Sequence, residues 1–262
     1  MSIIFHKYQG TGNDFVIIDQ RDKTIVDHKN AKLISLLCDR RFGIGGDGLI
    51  LLENSDKRDF RMVYFNADGR QSSMCGNGGR CLVRFAHALG IFEKHTTFEA
   101  IDGLHEGKLN DDSTISLLMS DVKKIKYINS NSYELNTGSP HLVTFCENLP
   151  SDIKIEGAKI RYSDEYYLEG INVNFVQNED SLINVATYER GVEDETYSCG
   201  TGVTAAAIAY AVHNHLKGDV TIQIKTKGGP LSVSFVRIGE FEFNHIWLTG
   251  PAVSVFTGKI DL

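Results

Sequence analysis

Residues Asn66–Leu89 read NADGRQSSMCGNGGRCLVRFAHAL, and residues Glu189–Val212 read ERGVEDETYSCGTGVTAAAIAYAV. Each stretch sets a cysteine, Cys75 or Cys199, before a Cys-Gly-polar-Gly turn that opens into an apolar helix. The spacing predicts helices over about 78–89 and 202–213, with Gly90 a natural stop for the first. Leu82, Val83, Phe85 and Ala86 leave the first helix apolar on most sides, and Val203 with the run Ala205–Val212 makes the second more so. A helix apolar all round is a buried one. Both fall short of the roughly 20 residues that cross a bilayer, so each is expected inside a wrapping of sheet. Two such stretches point to a repeated unit.

A helix N-terminus presents unpaired backbone N–H groups and the positive end of the macrodipole. Glycines there let a ligand approach the backbone closely, and the place suits an anion such as a carboxylate. The same field favours the thiolate of a cysteine. Taken alone, one such turn can equally be a small buried cysteine beside a tight bend. Two copies facing one captured carboxylate would form a proton-shuttling pair, one sulfur removing a proton and the other delivering one from the opposite side.

The rest of the chain reads mainly as strands. Ile3–Tyr8, Phe15–Asp19, Leu49–Glu53 and Phe60–Asn66 have strand patterning, and Asn30–Arg41 has helical spacing. Three short strands follow between Thr96 and Met119. The polar run Ser120–Asn131, with Lys123, Lys124 and Lys126, reads as a crossing between halves. Further strands are expected at Tyr133–Asn136, His141–Phe145, Ile171–Val176 and Leu182–Glu189, and four more after the second apolar helix. An α+β fold follows, with domains at 1–120 and 121–249 and a final strand, about 250–262, that can return to the first. The glycine run at Gly43–Gly48 lacks the flanks of a phosphate-binding loop.

A 262-residue chain with 42% hydrophobic and 23% charged residues has ample material for a core. Its net charge of −7 argues against nucleic acid as a partner. No apolar run has membrane-span length, and the opening residues MSIIFHKYQG are expected to form a strand rather than a signal peptide, since they lack its charged and long apolar regions. Five cysteines, at 38, 75, 81, 146 and 199, suit free thiols in a reducing cytoplasm better than a disulfide framework, and their spacing does not resemble a zinc site.

Asn13 in GTGNDF, Asn66 in FNADG, Cys75 in CGNGGRC, Pro140-His141, Asn172 in INVNF, Glu189-Arg190 in YERG and Cys199 in CGTG resemble diaminopimelate epimerase, in that family's order and spacing. The resemblance implies two pseudo-symmetric domains, each a strongly curved, mostly antiparallel sheet around a central apolar helix, with the active site in the cleft between them and a homodimer as the assembly. It implies interconversion of LL- and meso-diaminopimelate without cofactor or metal, in lysine and cell-wall precursor synthesis. Cys75 and Cys199 take the roles of thiolate base and thiol acid, with His141 and Glu189 beside them. The backbone of Gly76, Asn77, Gly200 and Thr201 is placed at the reacting carboxylate. Asn13, Asn66, Asn172 and Arg190 are placed on the substrate, mostly at its distal end. On its residues alone, Asn66 before Asp68-Gly69 would be only a turn residue, and His141 a loop or core histidine.

Two positions depart from the pattern. Gly48 stands where some members of the family have Gln, and Ser139 stands where Asn often precedes Pro-His. Both touch distal-end recognition. Two rival readings use the same residues. One is a proline- or hydroxyproline-type epimerase, whose small ring would not need Arg190 and three asparagines. The other is a binding protein switched by the thiols of Cys75 and Cys199.

Overall fold

A computed structural model describes residues 2–179 and 181–261. The chain packs as two compact units. One runs through Leu117 and takes back the chain from Gly250 onward; the other is Leu118–Thr249.

The first unit contains β1 (Ser2–Gly10), β2 (Asn13–Asp19), α1 (Ala31–Cys38), β3 (Gly48–Glu53), β4 (Phe60–Asn66), β5 (Gln71–Ser72), α2 (Gly76–Ala88), β6 (His95–Ala100), β7 (Gly103–Leu109) and β8 (Ile115–Leu118). The second contains β9 (Ile125–Asn129), β10 (Ser132–Asn136), β11 (Pro140–Cys146), α3 (Ile153–Arg161), β12 (Asn172–Glu179), β13 (Leu182–Glu189), β14 (Asp194–Thr196), α4 (Gly200–His213), β15 (Gly218–Thr226), β16 (Gly229–Arg237) and β17 (Phe243–Gly250). The last strand, β18 (Val253–Asp261), pairs antiparallel with β1.

The pairings spell one topology twice. In the first unit β1–β2, β3–β4 and β6–β7–β8 are antiparallel, while β2–β3 and β4–β6 are parallel. In the second, β9–β10–β11, β12–β13 and β15–β16–β17 are antiparallel, while β11–β12 and β13–β15 are parallel. β18 stands to β1 as β9 stands to β10. Parallel neighbours need a crossover, and each crossover is a helix: α1 and α2 in the first unit, α3 and α4 in the second.

Two crossovers per unit cover both faces of the central strands, which is why these read as unbroken apolar runs. Phe15, Ile17, Ile50 and Leu52 pack with Leu82, Val83 and Phe85 of α2. Val16, Ile18, Leu49 and Leu51 pack on the other face with Ile34 and Leu37 of α1. In the second unit Val143, Val176, Ile183 and Val185 pack against α4. Leu142, Val173, Phe175 and Tyr188 pack with Ile153 on the α3 side. Each large side chain so buried contributes about 1.5–3 kcal/mol. Strand parity therefore decides which residues meet the central helix.

Both central helices begin immediately after their cysteine, two residues earlier than the apolar spacing predicts. Glycines at Gly76, Gly78, Gly200 and Gly202 hid that first turn. The lysine-rich segment before Tyr133 is not a plain crossing, because β9 lies in it with Ile125 buried and most of its other side chains exposed. An edge strand wet on one side needs little apolar sequence. No helix among the described residues is long and apolar enough to cross a membrane.

Helix α4 fits its sheet because Ala205, Ala206, Ala207 and Ala209 are small and fully buried. Ala207→Leu is expected to destabilise the fold by roughly 1–3 kcal/mol through overpacking, read as a lower urea-unfolding midpoint.

Candidate active site

Cys75 and Cys199 are the N-cap residues of α2 and α4, both with extended backbone (φ −85°, ψ 128° and φ −112°, ψ 114°). Neither side chain turns back to cap its helix. The cysteine carbonyls accept from Gly79 N at 2.7 Å and Val203 N at 2.9 Å, closing the first turns. The amides of Gly76, Asn77 and Gly78, and of Gly200, Thr201 and Gly202, precede any intrahelical acceptor. All five cysteines are thiols rather than disulfides. Burial pushes Cys38 and Cys81 up to about 12, which leaves them protonated packing residues.

In the first unit Asn13, Gly48, Tyr64 and Asn66 share the strand parity of Phe15, Ile50 and Met62, so they lie on the face that wraps α2. Asn66 is opposite Gly48, and Gly48 opposite Phe15, which places Asn66 and Asn13 at the same end of the sheet. Asn13 Oδ1 accepts from the Cys75 thiol at 3.7 Å and from Asn77 Nδ2 at 3.3 Å. Asn13 Nδ2 donates to Asp47, which fixes the amide orientation. Asp47 also accepts from Arg40 at 2.7 Å, and Arg40 grips Asp14 in bidentate fashion at 2.6 and 3.0 Å. Lys7, buried, pairs with Asp14 at 2.6 Å.

Beneath this sits Arg80, fully buried. It donates to Asn77 Oδ1 at 2.9 Å, Thr11 Oγ1 at 3.1 Å, and the carbonyls of Gly76 and Pro251 at 3.4 Å. Burial pulls its guanidinium below the ordinary value, while the sulfurs of Cys81 and Cys75 work the other way. A helical arginine reads from sequence as a solvated charge, and nothing in the spacing marked this one as core.

In the second unit His141, Asn172, Asn174, Thr187 and Glu189 share the parity of Val143, Val176, Ile183 and Val185, so they face α4. Asn172 Nδ2 donates to Ser139 Oγ and Pro140 O, both at 2.9 Å, and its Oδ1 accepts from Arg190 N at 2.9 Å. Thr201 Oγ1 lies 3.5 Å from Cys199 Sγ, and Thr201 O accepts from Thr137 Oγ1 at 2.8 Å. The Glu189–Arg190 turn is braced by Glu193. Its carboxylate accepts from the Tyr162 and Tyr188 hydroxyls at 2.9 Å and from Gly191 N at 3.0 Å. The Arg190 side chain is exposed and donates to Glu169 O at 2.8 Å.

Every predicted site residue thus falls at the head of a central helix or on the sheet end beside it. Cys75, Gly76, Asn77, Asn13 and Asn66 do so in the first unit. Cys199, Gly200, Thr201, Ser139, His141, Asn172, Glu189 and Arg190 do so in the second. Arg80, Asp47, Tyr64, Asn174 and Glu193 join them without having been foreseen.

The family model for diaminopimelate epimerase matches residues 5–125 and 133–255. The chain is 55% identical over 257 residues to the diaminopimelate epimerase of Flavobacterium psychrophilum, covering 97% of this chain and 99% of that one. The chain belongs to the diaminopimelate epimerase family. Its architecture recurs in more distant structures. A PhzF-family phenazine biosynthesis protein of Bacillus anthracis superimposes with a TM-score of 0.78 at 14% identity, over 100% of both chains. A hydroxyproline epimerase of Agrobacterium vitis gives 0.67 at 12% identity, over 99% of this chain and 92% of that one. At such identities the likeness is one of fold.

Packing accounts for one departure from the diaminopimelate epimerase pattern, the glycine at position 48. A Cβ at Gly48 would lie 2.5 Å from Phe65 O and 2.6 Å from the Tyr64 ring, with the Tyr64 hydroxyl at 3.1 Å. The phenol fills the room a side chain at 48 would need. At the other departure, Ser139 Oγ accepts from Asn172 Nδ2 at 2.9 Å.

Burial alone would raise the Asp14 carboxyl, but hydrogen bonds and charge from Arg40 and Lys7 hold it at about 2, against an ordinary 3.8. Its stabilisation is therefore complete above about pH 4 and is lost as pH falls through about 2. Asp14→Asn is expected to cost about 1–2 kcal/mol near neutrality, with the gap from the parent chain narrowing below pH 4 in urea-unfolding series.

Proposed function

We propose that this chain interconverts LL- and meso-2,6-diaminopimelate, with Cys75 and Cys199 as its two acid–base groups. The observation that carries the reading is the repeated head of α2 and α4. In each, a thiol stands at the N-cap of a buried helix, beside first-turn amides that have no acceptor within the helix itself. A carboxylate received by such amides has its neighbouring α-proton beside a sulfur. One thiolate removes that proton, the other thiol delivers one to the opposite side, and the roles exchange with the direction of reaction.

An α-proton next to a carboxylate is a very weak acid, so the enediolate-like charge needs preorganised donors. Amides of Gly76, Asn77, Gly200 and Thr201 supply them, and each donor aimed at a developing oxyanion is worth about 2.7–4 kcal/mol. Two thiols and two helix ends complete this chemistry from the chain's own groups.

Asn13, Asn66, Asn172, Arg190 and Ser139 are assigned to substrate, with Tyr64 supplying polarity in place of a side chain at Gly48. A guanidinium suits a carboxylate, and amides serve both ammonium and carboxylate. Glu189 and His141 lie on the sheet face turned to α4 and act beside the thiols. A homodimer in the cytoplasm completes the reading, supported by five thiols and by exposed Val253, Val255 and Phe256 on β18.

Deuterium wash-in at the α-carbon tests the assignment. Cys75→Ala and Cys199→Ala are each expected to lower epimerisation by more than about 10²-fold; parental rates in either would remove the two-base mechanism. Turnover of proline but not diaminopimelate would remove the substrate. A reversible Cys75–Cys199 disulfide in a protein that catalyses no exchange would favour a thiol switch.

A further inference from the structure

His141 and Asn174 form a buried pair whose hydrogen bonding leaves little choice of proton position. Both side chains are fully buried. Asn174 Nδ2 donates to Leu142 O at 3.0 Å, and a carbonyl can only accept. Asn174 Oδ1 accepts from Thr187 Oγ1 at 2.9 Å. The amide is thereby oriented by two contacts that do not involve the histidine. Its remaining N–H faces His141 Nδ1 at 3.1 Å. Nδ1 must therefore offer its lone pair, and the proton of a neutral ring sits on Nε2. An imidazolium would set one N–H against another.

The other ring nitrogen completes the picture. Among the described residues, His141 Nε2 is a buried polar atom with no hydrogen-bond partner. A buried donor without an acceptor is unfavourable, so the fold holds ready a hydrogen bond for something that arrives. The same amide also touches the helix head. A Cβ at Gly202 would lie 2.4 Å from Asn174 Oδ1 and 3.2 Å from Cys199 Cβ. One side chain thus registers both the imidazole and the first turn of α4.

We propose that Asn174 is a positioning residue that fixes His141 as the Nε2–H tautomer, making the ring a neutral hydrogen-bond donor to the substrate carboxylate rather than a carrier of the transferred proton. This rests on the functional reading above for its acceptor, and on the hydrogen-bond geometry alone for its tautomer. Burial, with the Arg190 guanidinium adding to it, pushes the imidazole down to about 3. Of the titratable groups on the surrounding elements, Glu189 ends β13 and Cys199 heads α4, while Arg190 follows β13 and opposes protonation. Asn172, Asn174 and Thr187, which adjoin the ring or its amide partner, are neutral.

The test is a long-range proton–nitrogen NMR spectrum of the full enzyme with 15N-labelled histidine. His141→Gln identifies the ring among nine histidines. A pyrrole-type Nε2 and a pyridine-type Nδ1, unchanged between about pH 5 and 9, are expected. A pyrrole-type Nδ1, or a ring titrating near the ordinary value of about 6.5, overturns the proposal. Asn174→Asp offers an acceptor to Nδ1, draws the ring proton there and strips Nε2 of its donor. Its kcat is expected to fall about 10²-fold with KM changed far less. Parental kcat in a folded Asn174→Asp overturns the catalytic role, and if that variant does not fold the parent spectrum still decides. A parent enzyme inert toward diaminopimelate would remove the functional reading. A titrating ring in an active epimerase would remove this inference alone.

Discussion

A helix buried on every side still has to place its N-terminal N–H groups somewhere. In α2 and α4 the residue in the capping position is a cysteine whose side chain does not fold back, and the next residues include glycines that add no bulk. The first-turn amides have no acceptor within their own helix, and a thiol is stationed at the same point. The sheets around the two helices, the crossovers α1 and α3 that seal the outer faces, and the polar residues at the strand ends all follow from enclosing a helix while leaving its head usable.

Enclosure also explains how distant residues assemble. A strand covered on both faces sends alternate side chains to the central helix and to the outer one. Asn13 follows the parity of Phe15 and Ile17, and Asn66 that of Tyr64 and Met62, so both arrive beside the head of α2. His141, Asn172, Asn174, Thr187 and Glu189 arrive beside α4 by the same rule. A shift of one residue in the β12 register would exchange Asn174 for Val173 or Phe175 and put an apolar side chain against Gly202.

Much of this was legible beforehand because it is written in local pattern. All-round apolarity marked the two central helices, and paired glycine turns marked their heads. What stayed hidden depends on long-range contact. Arg80 looks like any helical charge until the hairpin residue Thr11 and the carbonyl of Pro251 are seen to satisfy it. β5 and β14 are too short for any period to register, and β9 is a five-residue strand with only Ile125 buried, next to a lysine-rich run. Gly48 reads as a lost contact in sequence and as a steric requirement in three dimensions, since Tyr64 occupies the space. Asn174 differs from an ordinary strand residue only through its parity.

The two units share a topology yet furnish their helix heads with different chemistry. Around Cys75 the neighbours are ionic: Asp47, Arg40, Asp14 and Lys7 link to Asn13, and Arg80 lies below. Around Cys199 a threonine hydroxyl stands at the sulfur, an imidazole, two asparagines and Thr187 on the facing strands are neutral, and the charged groups are Glu189 and Arg190 at the end of β13. Burial sets what each arrangement can do. A charged network holds its members ionised and rigidly oriented, whereas a neutral one donates or accepts without changing protonation. In the proposed reaction the substrate carries two chemically similar amino-acid ends, of which one reacts. The doubled fold gives each unit a matching helix head with a thiol of its own, and the unlike surroundings make the two heads chemically distinct.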